Sequence, residues 1–134
     1  MLDIEGKNIS ITRGNVLPLT IDTISERNNA PYEFQVGDII RFTIMESGNV
    51  NNIFLQKDFT VKEAGIETDI VLTANEMKIG ELSSEKVKYW YEIELAPDTD
   101  FTQTIVGYDI EDGPAILTIL PEGGDKKWLR KQTN

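Results

Sequence analysis

Apolar and polar residues alternate along this chain with a period of two, the spacing that turns one face of a β-strand to a core and the other to water. Across residues 15–23, Leu17, Leu19 and Ile21 share one face while Val16, Pro18, Thr20 and Asp22 share the other. Pro18 has no N–H to give to a ladder, which predicts an edge position for this strand or pairing that starts after the proline. The run 9–12 reaches it through Arg13-Gly14, where a glycine free to take positive φ predicts a bulged turn or short hairpin. Residues 39–45 repeat the pattern, with Ile40, Phe42 and Ile44 set against Arg41 and Thr43. The clearest strand is 87–95: Val87, Tyr89, Tyr91, Ile93 and Leu95 face one way, and Lys88, Trp90, Glu92 and Glu94 the other.

Shorter strands are expected at 53–56, 59–62, 68–72, 101–108 and 115–120, separated by turn-rich segments at 25–32, 47–52 and 109–114. One helix signal interrupts them. Thr73-Ala74-Asn75-Glu76 has the form of a capping box, and Gly80 stands where a helix would need a left-handed residue. A short helix is therefore expected near residues 74–79. Many short strands and one minor helix predict an all-β fold, an antiparallel β-sandwich of the immunoglobulin-like or jelly-roll-like kind. Residues 1–122 form the domain in this reading, and residues 123–134 a basic C-terminal tail.

Composition narrows the chemistry. At 134 residues the chain is long enough to bury roughly two-thirds of the surface it exposes when unfolded. Its hydrophobic share of 40% and charged share of 27% are those of a globular protein. Apolar runs are far shorter than a membrane span, and no leader-like segment opens the chain. It has neither cysteine nor histidine. Disulfides, thiolate nucleophiles and a Ser-His-Asp triad cannot be assembled from it, and a catalyst would have to rely on carboxylates, lysines or tyrosines. No enzyme activity and no cofactor are expected.

The net charge is −10, and its distribution matters more than its size. Lys126, Lys127, Arg130 and Lys131 fall in the last nine positions, where no acid occurs, so residues 1–125 carry −14. Such a body repels a phosphate backbone, which argues against nucleic acid as a partner.

Three places invite a functional reading. Asp98, Asp100, Asp109, Glu111 and Asp112 crowd the turns around the penultimate strand, a set of oxygen donors suited to calcium, although the spacing fits no EF-hand loop and turn acids are a sufficient account. Two of these carboxylates could also serve as a glycosidase pair if a cleft held them at the right separation. Trp90 lies on the polar face of its strand beside Lys88 and Glu92, where an uncovered tryptophan would stack on a sugar or anchor a protein contact. The tail sets Trp128 and Leu129 among Lys127 and Arg130, either a frayed terminus or an arm for an acidic neighbour, another copy included. Arg13-Gly14-Asn15 is not an adhesion motif and reads as a turn.

The order of these signatures resembles small structural proteins of phages and prophages of Gram-positive bacteria. The matching residues are Ile11-Thr12-Arg13-Gly14, Pro31-Tyr32-Glu33, Gly37-Asp38 and Phe42-Thr43, followed more loosely by Tyr89-Trp90-Tyr91-Glu92-Ile93 and Thr104-Ile105-Val106. Asn15 stands where an aspartate is usual, and Ser83–Lys86 where a glycine is usual. The resemblance, over about residues 4–121, implies a β-sandwich similar to the N-terminal domain of phage baseplate upper proteins. It further implies a non-enzymatic adaptor of the tail or baseplate that contacts other virion subunits or copies of itself. The implied setting is a homo-oligomer, assembled in the host cytoplasm and then part of the virion. It brings no catalytic residues. The alternative expectation is a carbohydrate-binding module using Trp90 and the acidic loops.

Overall fold

The computed structural model describes residues 1–25, 28–80, 84–96 and 103–121. Among them the alternating pattern becomes β1 (Leu2–Glu5), β2 (Asn8–Thr12), β3 (Leu17–Ile21), β4 (Ile39–Glu46), β5 (Asn49–Thr60), β6 (Thr68–Leu72), β7 (Val87–Ala96), β8 (Gln103–Val106) and β9 (Ile116–Leu120). Seven strands build one sheet in the order β1-β2-β9-β7-β4-β5, with β8 also on β7. β9 pairs with residues 87–90 of β7 and β8 with residues 93–95, so the two share one edge of that strand. β3 and β6 form a separate antiparallel pair. The fold is all-β, two sheets packed as a sandwich. Within it β2 and β9 run parallel while the other ladders are antiparallel.

Period two places the core. Tyr89, Tyr91, Ile93 and Leu95 of β7, Ile40, Phe42 and Ile44 of β4, and Ile9 and Ile11 of β2 turn inward from the large sheet. Leu17 and Ile21 of β3 and Ile70 and Leu72 of β6 meet them from the small one. Phe42 stacks on Tyr91 at 5.4 Å, and Phe34, fully buried, plugs the core from the loop before β4. β3 carries Pro18 in a two-stranded sheet, the edge position expected of it.

The Arg13-Gly14 turn does not make a hairpin. It carries the chain from one sheet to the other, because the apolar faces of β2 and β3 meet only across the sandwich. Gly14 takes φ +82°. The turn's polar groups are spent on distant segments: the Arg13 N–H donates to the Leu120 carbonyl of β9 at 3.0 Å and the Gly14 N–H to the Met77 carbonyl, in the turn after β6, at 3.1 Å. The Arg13 side chain also holds three carbonyls, those of Lys78, Ile79 and Gly80, at 3.4, 3.2 and 2.9 Å.

The same contacts correct the expected helix at 74–79. The capping box forms, with the Thr73 N–H donating to Glu76 Oε1 at 2.8 Å and the Glu76 N–H to Thr73 Oγ1 at 3.2 Å. One bond from the Met77 N–H to the Thr73 carbonyl completes a single turn, and no helix follows among the described residues. Met77 and Ile79 are both buried, and residues two apart cannot share a helix face. The next bond, from the Lys78 N–H to the Asn75 carbonyl at 3.3 Å, is the tighter three-residue step, and the carbonyls that follow, those of residues 77–80, go to Gly14 and Arg13. A nucleus this short has too few bonds to offset its own entropy.

Two further departures concern β5 and β1. The expected loop at 47–52 and strands at 53–56 and 59–62 merge into one hairpin arm. Gly48 turns the chain at φ +79°, and Asn52 reaches back to the Glu46 carboxylate at 2.7 Å. β1, absent from the sequence expectation, is exposed at every position and owes its place to pairing with β2.

The Pro-Tyr-Glu…Gly-Asp segment is a lock on the entry to β4. Buried Asp38 accepts from the Tyr32 hydroxyl at 2.7 Å and the Gln35 N–H at 3.0 Å. Burial, reinforced by the Asp38 carboxylate, pushes the Tyr32 phenol up to about 12, and burial alone pushes Tyr91 up to about 12. The Tyr91 hydroxyl donates to the Lys7 carbonyl.

Two outcomes follow for stability. Both phenols keep their protons in the folded state to about pH 12 but ionise near pH ~10 when unfolded, so stability falls as pH rises between those values. Urea midpoints from pH 9 to 11.5 should show that decline, and a Tyr32→Phe, Tyr91→Phe double variant should flatten it. Arg13→Lys keeps the charge but loses the fork, and is expected to cost about 1–2 kcal/mol in urea unfolding.

Candidate functional site

The outer face of the large sheet holds the feature most unlike a solvated surface. Register sets Trp90 of β7 between Met45 of β4 and Ile116 of β9. On a well-patterned strand these outward positions should be polar, as Lys88, Glu92 and Glu94 are. Instead Met45 is only 2% exposed although it belongs to no part of the core between the sheets. Half-buried Trp90 lies against it, and the Trp90 ring meets Tyr108 at 5.7 Å between centroids with a 53° tilt. A shallow cavity of about 130 Å³ opens here, lined by Met45, Val50, Trp90, Glu92, Tyr108 and Pro114 among others. Around it Val50 is 53%, Tyr108 66% and Ile110 99% exposed.

The loop after β8 presents this patch and is itself braced. Asp109 and Gly113 exchange backbone hydrogen bonds at 2.8 Å, and Asp109 Oδ1 accepts the Glu111 N–H at 2.7 Å. Lys7 donates to the carbonyls of Gly107 and Gly113 at 3.1 and 2.6 Å, tying the loop to the β1–β2 turn. The backbone N–H groups of Glu111 and then Asp112, both donating to Asp109 Oδ1, hold the Asp109 carboxyl below its usual range. Glu92, beside the cavity, is shifted the other way: burial raises it, with the neighbouring Glu94 adding to the effect.

This geometry sorts the candidates. Trp90 is neither fully covered nor fully free; Tyr108 shields one side of it and the cavity exposes the other. The turn acids split. Asp109 is occupied as a cap on its own loop, and Asp98 and Asp100 lie outside the described residues. Among the described residues no three acidic side chains come close enough to hold a metal ion. Lys127, Trp128, Leu129 and Arg130 also lie outside the described residues. Tyr108, Val50 and Ile110 were not visible as candidates. Val50 and Ile110 signal themselves only as apolar residues in expected turns, Ile110 between two acids, and Tyr108 only as the last residue of the expected strand 101–108.

A larger groove of about 850 Å³ runs between β5 and β6 and is lined by Asp58, Lys62, Glu63, Glu67 and Asp69 with Phe59 and Val71. Its chemistry is mostly spoken for. Asp58 is paired with Arg41 through two bonds, at 2.7 and 3.0 Å, and that pairing keeps its carboxyl low. Asp69 accepts from the Thr20 hydroxyl at 2.7 Å. Lys57 closes one end by pairing with Glu76 at 2.8 Å.

The exposed share of each aromatic sets an order of effects. Trp90→Ala uncovers Met45 and is expected to cost about 1–3 kcal/mol, while Tyr108→Ala should cost under about 1 kcal/mol. Thermal unfolding of the two variants checks this, and a larger loss for Tyr108→Ala would show that the loop rather than the ring pair supports the patch. No family model, curated protein or solved structure matches the chain, so the site's geometry has to carry the functional reading.

Proposed function

We propose that this protein is a non-enzymatic structural adaptor that works through protein–protein contacts, of the phage or prophage virion kind that its turn and strand motifs resemble. The observation that carries the adaptor reading is the Trp90–Tyr108 patch. An apolar cavity large enough for one aliphatic or aromatic side chain sits on a sheet face that would otherwise be polar. Trp and Tyr set in a small desolvated pocket are the usual anchors of such contacts.

The rim describes the partner. Glu92 lines the cavity, and Asp109, Glu111 and Asp112 follow Tyr108 in the loop that presents it, so the complementary surface is a protruding apolar side chain flanked by basic residues on a neighbouring subunit. A sugar is less well served. The aromatic pair offers a stacking surface, but the cavity lining supplies few polar groups to fix hydroxyls, Glu92 and the Tyr108 phenol chief among them.

Mass spectrometry of particles purified from the source bacterium should find this chain at a fixed ratio to the other tail proteins. The folded double variant Trp90→Ala, Tyr108→Ala should be lost from those particles. Particles that lack the wild-type chain would overturn the virion reading. Glycan binding by the monomer that disappears in the double variant would establish the carbohydrate alternative.

A further inference from the structure

β5 is an edge strand of unusual length and unusual composition. It runs for 12 residues, and β4 is the only described strand paired with it. No other described strand pairs with its outer side, and within the shifted stretch the Asn51 N–H donates to Asn49 Oδ1 at 3.2 Å. Proteins normally blunt such an edge with proline, charge or brevity. The other free edges here follow that practice. β1 has four residues with Asp3 and Glu5 among them, β3 carries Pro18, and β6 carries Asp69 with its Val71 carbonyl approached by Lys57. β5 has no proline, and its charges are confined to Lys57 and Asp58; the one device it carries is a shift of register against β4 between Asn49 and Leu55. Ser47–Gln56 is the longest run in the chain without a charged residue, within a protein of net charge −10. Val50, Ile53 and Phe54 in that run are 53%, 48% and 43% exposed.

We propose that β5 is a self-association edge, on which a second copy of this chain adds its own β5 antiparallel to form a continuous two-fold sheet. The occupant follows from charge and symmetry. Two bodies this acidic repel wherever their charged surfaces meet, and the Ser47–Gln56 stretch is where that repulsion is least. Antiparallel pairing about Ile53 or Phe54 sets Lys57 opposite Asn49 or Asn51 of the second copy, and Asp58 opposite Gly48 or Val50. No like charges face each other, and the exposed Ile53 and Phe54 are covered at the axis. Main-chain bonds supply the attraction, as in strand addition generally. An interface this narrow belongs with the weak ones.

This edge shares Val50 with the Trp90 cavity, but Ile53 and Phe54, on which the pairing is centred, do not line it, so the two surfaces are tested by different variants. Sedimentation velocity at about 0.5 mM protein should show a monomer–dimer equilibrium that strengthens when salt is raised from about 0.02 to 0.5 M, because screening relieves the repulsion. Ile53→Lys, at a half-exposed position, should weaken the dimer at least tenfold with the melting temperature nearly unchanged. Trp90→Ala should leave it intact. Because the chain lacks cysteine, Ile53→Cys or Phe54→Cys should cross-link two copies on mild oxidation, whereas Glu5→Cys on β1 should not. A monomer at every concentration, a dimer that survives Ile53→Lys, or one that dissociates as salt rises would overturn the proposal. The last result would point instead to the basic tail held on an acidic surface.

Discussion

Everything in this fold is arranged around the two-sided pairing of β7. Its backbone is hydrogen-bonded to β4 along one edge and to β9 and β8 along the other. With its N–H and C=O groups satisfied on both edges, its alternation has to point somewhere definite. Tyr89, Tyr91, Ile93 and Leu95 go to the core, and Trp90 and Glu92 are forced to the opposite face. A one-residue slip would bury Glu92 and Glu94 and expose the tyrosines, so the register is strongly specified. The position of Trp90 on the outer surface is thus fixed by the core on the other side.

The residues of the Arg-Gly turn and of the Pro-Tyr-Glu…Gly-Asp segment are occupied with holding the sandwich together. Arg13 draws three carbonyls of the 78–80 segment toward the crossover between sheets, and Gly80 at φ +68° leaves no room for a Cβ beneath the Tyr89 hydroxyl. Asp38 and Tyr32 fasten the loop that leads into β4. The Trp90 patch and the β5 edge are built mostly from residues outside those turn motifs, Met45, Val50, Tyr108, Ile53 and Phe54 among them.

Strands were legible where one face is dry and the other wet. β6 coincides with the expected 68–72, and β4 and β7 extend theirs by one residue each, because period two reports directly on burial. The helix at 74–79 was misread for a physical reason. A capping box marks how a helical turn starts and not how far it runs; here the second bond is already the tighter three-residue step, and the carbonyls of 78–80 are held by Arg13, more than sixty residues away. β1 and the first half of β5 left no pattern to find because neither is buried on any face. The candidate site was half legible. Trp90 stood out as an apolar residue on a polar face, but its companions Met45, Val50 and Tyr108 reach it only through sheet register and a loop.

The parallel ladder between β2 and β9 has a consequence for how the chain reaches this state. β2 can join the large sheet only through β9, whose residues lie more than a hundred positions later. Contacts of that separation carry a large loop-closure cost and slow folding. Until residues 116–120 have been synthesised and placed, the β1–β2 hairpin has no seat in the sheet, and Ile9 and Ile11 have no core to enter. The sandwich therefore closes late and in one cooperative step, which makes the interval before closure the time when its apolar strands most need protection from one another.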